Sequence, residues 1–100
     1  MDDIPVPIPK RERRFIDEVR ADMRARGYAY PTERTYLHWI KRYILFNQRR
    51  HPKDMGKADI EAFLNYLAVE ATVSPSTQRT ALNALMYLYT KYYGRDAESL

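Results

Sequence analysis

Four basic side chains and a histidine, Arg34, His38, Lys41, Arg42 and Arg49, recur at intervals that a helix would gather on one side. Stepping 100° per residue puts them within an arc of roughly 100°. A cationic arc of this kind neutralises a polyanion, and phosphate above all. A second set, Ser76, Arg79, Thr80, Asn83 and Tyr87, shares an arc of roughly the same width. Short hydroxyl and amide groups beside a cation suit a duplex, because they reach phosphate oxygens or base edges. Ser74-Pro75 just ahead of them marks a helix start whose backbone N–H groups form a natural phosphate site. Leu45 interrupts the first arc.

The same residues exclude other chemistries. His38 and His51 are the only histidines, and no carboxylate constellation accompanies His38, so neither a metal site nor a general base is indicated. No catalytic motif is present, and no metal or cofactor is expected. The absence of cysteine removes a disulfide scaffold, a thiolate-ligated zinc and a thiol nucleophile. It also fits a reducing cytoplasm.

The elements that must position these groups follow from periodicity. Residues 1–9, MDDIPVPIP, read as a disordered lead-in: alternating prolines favour extended chain, and two acids stand where a signal peptide needs positive charge. Lys10–Arg26 predicts a first helix, with Phe15, Ile16, Val19 and Met23 on one face and Gly27 as its stop. A second helix is expected from an N-cap at Thr32, with Glu33 at its positive end, to about Arg50. Its buried side is Tyr36, Trp39, Ile40, Tyr43 and Phe46, with Leu37 and Ile44 at the edge. A third runs from Lys57 to Ala71 on Ile60, Phe63, Leu64 and Leu67. A fourth runs from Pro75 to Tyr93, burying Ala81, Leu82, Leu85, Leu88, Tyr89 and Tyr92, with Gly94 as its stop. No segment alternates as a strand would. The fold class is all-α: a compact four-helix bundle across residues 10–94, followed by a tail over 95–100. One hundred residues allow one domain, and no apolar run approaches the ~20 residues of a membrane span.

The net charge of +4 is unevenly spread. Residues 33–50 hold five cations against Glu33, and residues 75–93 hold Arg79 and Lys91 with no acid. Residues 57–71 hold Lys57 against Asp59, Glu61 and Glu70. The alternatives to a DNA-binding face are a solvated polar surface, a helix-turn-helix regulator, and a protein–protein adaptor. The second and fourth helices lie too far apart in sequence for a helix-turn-helix unit.

Three stretches carry a family likeness. They are TERTYLHWIKRYILF followed by RHP, then EAFLNYLAVE, then VSPSTQRTALNALMYLY, in order and closely spaced within Pro31–Gly94. This region resembles the N-terminal core-binding domain of tyrosine recombinases, and most of all that of integron integrases. The resemblance implies a four-helix SAM-like domain, one half of a C-shaped clamp around a recombination site, duplex or folded single strand. It implies DNA-facing positions at Thr32, Arg34, Thr35, His38 and Lys41 on the second helix, beside Arg42 of the cationic arc. On the fourth it implies Ser74, Ser76, Thr77, Arg79, Thr80 and Asn83; Thr77 projects toward the buried edge and is expected to cap or pack. The family's arginine–histidine–arginine set and tyrosine nucleophile belong to a separate C-terminal catalytic domain, and nothing here matches them. The fragment is therefore expected to be non-enzymatic, bacterial and cytoplasmic, with homo-oligomers only in the full synapse.

Overall fold

The computed structural model describes residues 10–99, so the expected lead-in over 1–9 lies outside the described residues. Four helices form: α1 (Lys10–Ala25), α2 (Tyr30–Phe46), α3 (Lys57–Val69) and α4 (Pro75–Met86). A 3-10 turn at Pro52–Asp54 precedes α3, and a π-helical segment, Tyr87–Tyr92, continues α4. A last 3-10 turn covers Ala97–Ser99, and no strand occurs among the described residues.

The first helix ends as its glycine predicts. Gly27 has φ +80, its N–H bonds to the Arg24 carbonyl, and the Tyr28 N–H reaches back to Met23. That is a Schellman closure. Phe15, Ile16, Val19 and Met23 are all buried, as the heptad-like spacing requires.

Both ends of α2 differ from expectation. The N-cap is Ala29 rather than Thr32, and Pro31 sits in the first turn. Proline fits there because its fixed φ is helical and its missing N–H would have had no partner. The helix stops at Phe46, four residues short of Arg50. Asn47 donates from Nδ2 to the Tyr43 carbonyl, and Gln48 and Arg49 adopt φ of 55 and 63. Their N–H groups close on Leu45 and Ile44 in the manner of the α1 terminus, without a glycine.

At α4, Ser74 caps as expected: its Oγ accepts the Thr77 N–H at 3.2 Å. Beyond Met86 the backbone widens to the π form, so side chains after Tyr87 no longer follow the α-helical wheel. Gly94, at φ +70, ends the segment.

The core is one cluster shared by all helices, and α4 packs most extensively on α2. Within it Tyr43 and Tyr89, both fully buried, bring their hydroxyls to 3.0 Å. The Tyr89 hydroxyl donates to the Pro52 carbonyl at 2.7 Å. A hydroxyl has one proton, so Tyr43 is the donor in the tyrosine pair. Arg95, expected to begin the tail, is bonded into the fold. Its guanidinium donates to the carbonyls of Met55 (2.8 Å) and Lys53 (2.7 Å) and lies 4.7 Å from the Tyr89 ring centroid.

Candidate nucleic-acid interface

On α2 the buried face is turned from the expected one. Glu33, Leu37, Trp39, Ile40, Lys41, Tyr43 and Ile44 lie inward, which centres the buried arc about 40° from Tyr36 toward α1. Lys41 therefore does not project from the polar arc: it is 6% exposed and lines a small crevice with Glu12, Ile16, Ile44 and Leu45. Its aliphatic stem covers apolar surface, as lysine stems do. Arg49 also leaves the arc, because the helix ends before it; its Nε lies 4.0 Å from a Glu12 carboxylate oxygen on α1. Thr32, half-buried, is inside the first turn.

What remains outward on α2 is Arg34, Thr35, His38 and Arg42, with Leu45 beside them. Arg42 stacks over Trp39 at 5.1 Å and Arg34 lies 5.7 Å from the Tyr30 ring. His38 meets Trp39 edge-on at 5.1 Å. These contacts hold the cations against aromatic faces while leaving them partly in solvent. Glu33, the one acid of the helix, is buried and held by Arg24 at 3.0 and 3.2 Å, with Arg20 at 3.7 Å. Its negative charge is thereby removed from the outer face.

On α4, Ser76, Arg79 and Asn83 are exposed and Thr80 half-buried, its hydroxyl donating to the Ser76 carbonyl. Thr77 does cap, accepting the Ser74 hydroxyl at 3.0 Å. The helix start is narrower as an anion site than expected. Pro75 has no N–H and Ser74 takes that of Thr77, so Ser76 keeps the open one. Tyr87 leaves the arc altogether. It is buried, its ring against Tyr28 and Tyr36, and its hydroxyl donates to Asp22 of α1 at 2.7 Å. Burial and that carboxylate push the Tyr87 hydroxyl far above its ordinary pKa. Leu82, expected inside, is 36% exposed on the same side as Arg79.

The two polar faces are separate groups. α4 and its extension meet α2 through Tyr36–Tyr87 and Tyr43–Tyr89 ring contacts. Arg34, His38 and Arg42 lie on the other side of α2. α4 carries no carboxylate, and the one carboxylate of α2, Glu33, is buried.

A third cationic region went unnoticed in the sequence. Arg11 and Arg14 of α1 border a groove with Arg49, Arg50 and Lys53. The run R-R-H-P-K at 49–53 signalled it, but assigning Arg49 and Arg50 to a helix wheel hid it. No cluster of metal-ligating residues occurs among the described residues, and no helix is long and apolar enough to cross a membrane.

Residues 15–99 match the family model of the phage integrase N-terminal SAM-like domain. Proteins described as integrase/recombinase from Escherichia coli and from Pseudomonas aeruginosa are each 42% identical to the chain over 92 residues. The alignment covers 92% of this chain but 27% of each relative, so the chain spans about a quarter of their length.

Proposed function

We propose, for a chain that belongs to the phage integrase N-terminal SAM-like domain family, that it is the DNA-holding domain of a site-specific tyrosine recombinase. The relatives are described as integrase/recombinase, which supports the parent activity. The observation that carries the DNA reading is the pair of acid-free outer faces, Arg34/Thr35/His38/Arg42 on α2 and Ser74/Ser76/Arg79/Thr80/Asn83 on α4.

On this reading Arg34, Arg42 and Arg79 neutralise backbone phosphates, and the open Ser76 N–H adds a neutral donor at a helix start. Asn83, Thr35 and Thr80 supply short hydrogen-bonding groups for base edges or sugars. Lys41 belongs to the packing of α1 on α2 and takes no phosphate. The likeness of the Thr32–Phe46 and Val73–Tyr89 stretches to integron integrases makes their attachment sites, duplex or folded single strand, the first substrates to test. The partner in the parent chain is a catalytic domain, and the protein acts in the bacterial cytoplasm, assembling only in the recombination synapse.

Strand cleavage is not assigned to this chain. A nucleophilic tyrosine needs an accessible hydroxyl beside cations that stabilise the phosphoryl transition state. Here burial pushes the hydroxyls of Tyr43, Tyr87, Tyr89 and Tyr93 upward, which disfavours the phenolate. Incubation with a nicked-site suicide substrate leaves no denaturation-resistant adduct; an adduct on any of these tyrosines contradicts the assignment.

The binding test compares Arg34→Gln/Arg79→Gln with Glu61→Gln. Glu61 is exposed on α3, a helix that carries neither face. In fluorescence anisotropy with a labelled duplex, the arginine pair weakens binding for every sequence, whereas Glu61→Gln leaves it unchanged or slightly tighter. Equal weakening by Glu61→Gln overturns the choice of surface.

A further inference from the structure

Between the N-terminal half of α1 and the segment that follows α2 lies an open groove of about 540 Å³. Five cations border it, Arg11, Arg14, Arg49, Arg50 and Lys53, against two carboxylates, Glu18 and Asp54. The segment that carries three of these cations is fixed rather than loose. Arg50 donates to Asp59 at 3.3 Å and to the Asp54 carbonyl at 2.9 Å. His51 rests on the Phe15 ring at 4.8 Å and accepts the Lys53 N–H at 3.2 Å. Tyr89 holds Pro52, and Arg95 holds the carbonyls of Lys53 and Met55. On the facing wall Arg11 and Arg14 are exposed, close to one turn apart on α1.

A single phosphate would fill a small part of this volume, and the cations border its length on two elements rather than converging on one point. The groove therefore suits a run of charges. α1 and α2 run antiparallel, with Arg24 at Glu33 near one end and Arg49 near Glu12 at the other. The groove thus lies past the C-terminal end of α2, roughly a helix length, about 25 Å, from the turn that carries Arg34. A duplex presents a phosphate about every 3.4 Å of axis on each strand, so one DNA spans that distance with several charges to spare.

We propose that this α1–loop groove is a second DNA contact, gripping backbone phosphates apart from the α2 and α4 faces and widening the footprint of the domain. The inference rests on the DNA reading above. Its partner is duplex backbone, so it adds affinity and salt dependence without base preference.

The test uses the full chain and a labelled duplex, titrated at several salt concentrations, with Arg11→Gln/Arg14→Gln as the probe. Arg13→Gln serves as control: it is exposed on the same helix but does not line the groove. Circular dichroism melting checks that each variant folds. Two lost phosphate contacts flatten the slope of log K against log salt by about 1.8, so the variant loses roughly tenfold less affinity than the parent between about 50 and about 200 mM. Arg13→Gln is expected to match the parent. If Arg11→Gln/Arg14→Gln keeps the parent slope while Arg34→Gln/Arg79→Gln flattens it, the groove inference falls and the DNA reading stands. A parent slope near zero removes both. If Arg13→Gln flattens the slope by about 0.9, half the effect of the double variant, the effect is general charge and the groove inference falls. Binding of labelled polyglutamate that depends on Arg11 and Arg14, with no such dependence for DNA, assigns the groove to an acidic protein segment and overturns it too.

Discussion

Replacing Tyr89 by phenylalanine removes one oxygen and leaves the ring, so its effect reports the buried hydroxyl chain alone. That oxygen donates to Pro52 and accepts from Tyr43. The Pro52 carbonyl keeps a second partner, the Met55 N–H at 3.0 Å. The Tyr43 hydroxyl keeps none of its own among the described residues and stays fully buried. The cost of Tyr89→Phe is therefore one net hydrogen bond of about 1 kcal/mol plus one orphaned buried hydroxyl of about 1–2 kcal/mol. Tyr43→Phe deletes the end of the chain: Tyr89 still donates to Pro52, and the loss is about 1 kcal/mol. The double variant has no orphan, so it destabilises by about 1 kcal/mol less than the two singles added together. For a chain of this size each kcal/mol lowers Tm by about 4–8 °C. Urea and thermal denaturation followed by circular dichroism, across the four proteins of the cycle, measure this. If Tyr43→Phe proves as costly as Tyr89→Phe, or the cycle is additive, the donor order deduced from the geometry is wrong. The prediction reaches the proposed groove, because Tyr89 pins the Pro52–Asp54 turn that carries Lys53.

Lys41→Ala lowers stability by about 1 kcal/mol through lost stem packing and leaves the DNA salt slope unchanged, which melting and anisotropy measure together. A flatter slope at unchanged stability would restore Lys41 to the interface. Burial, then Lys53 and Arg11, hold the His51 imidazole below its ordinary pKa. The unfolded chain therefore binds the proton more readily, and stability falls as pH drops from about 6.5 toward the lower folded value. Denaturation midpoints measured down that range decline in the parent and decline less in His51→Gln; equal decline in both contradicts the assignment.

The sequence was most informative where one periodicity governed one interface. The Phe15, Ile16, Val19 and Met23 stripe of α1, the Gly27 and Gly94 stops and the Ser74 cap are local features with local signals. It misled where a neighbour decided. α1 covers α2 on the Glu33, Leu37 and Lys41 side, and nothing within α2 itself shows where α1 will sit. A buried glutamate paired with Arg24 and a buried lysine stem look identical in sequence to exposed charges. The end of α2 was hidden because Gln48 and Arg49 adopt left-handed backbone without glycine, a conformation that costs about 1–2 kcal/mol per residue and is sustained by surrounding contacts. Tyr87 is drawn in by Asp22 of α1 and by the Tyr28 and Tyr36 rings, and Leu82 stays 36% exposed; neither outcome is written in α4 alone. Of the expected interface, Arg34, Thr35, His38, Arg42, Ser76, Arg79, Thr80 and Asn83 stay at or near the surface. Ser74 and Thr77 are engaged in the cap, and Lys41 is buried.

The central claim is that the α2 and α4 faces meet phosphates through a small, countable set of arginines. It is tested most directly by the salt dependence of duplex binding by the intact chain. Arg34, Arg42 and Arg79 alone give a slope of log K against log salt of about −3, and Arg11 and Arg14 of the groove steepen it to at least about −4.5. A measured slope of about −3 or steeper supports the account, and one of about −4.5 or steeper favours the groove as well. A slope near zero at low salt, or no binding at all, contradicts it.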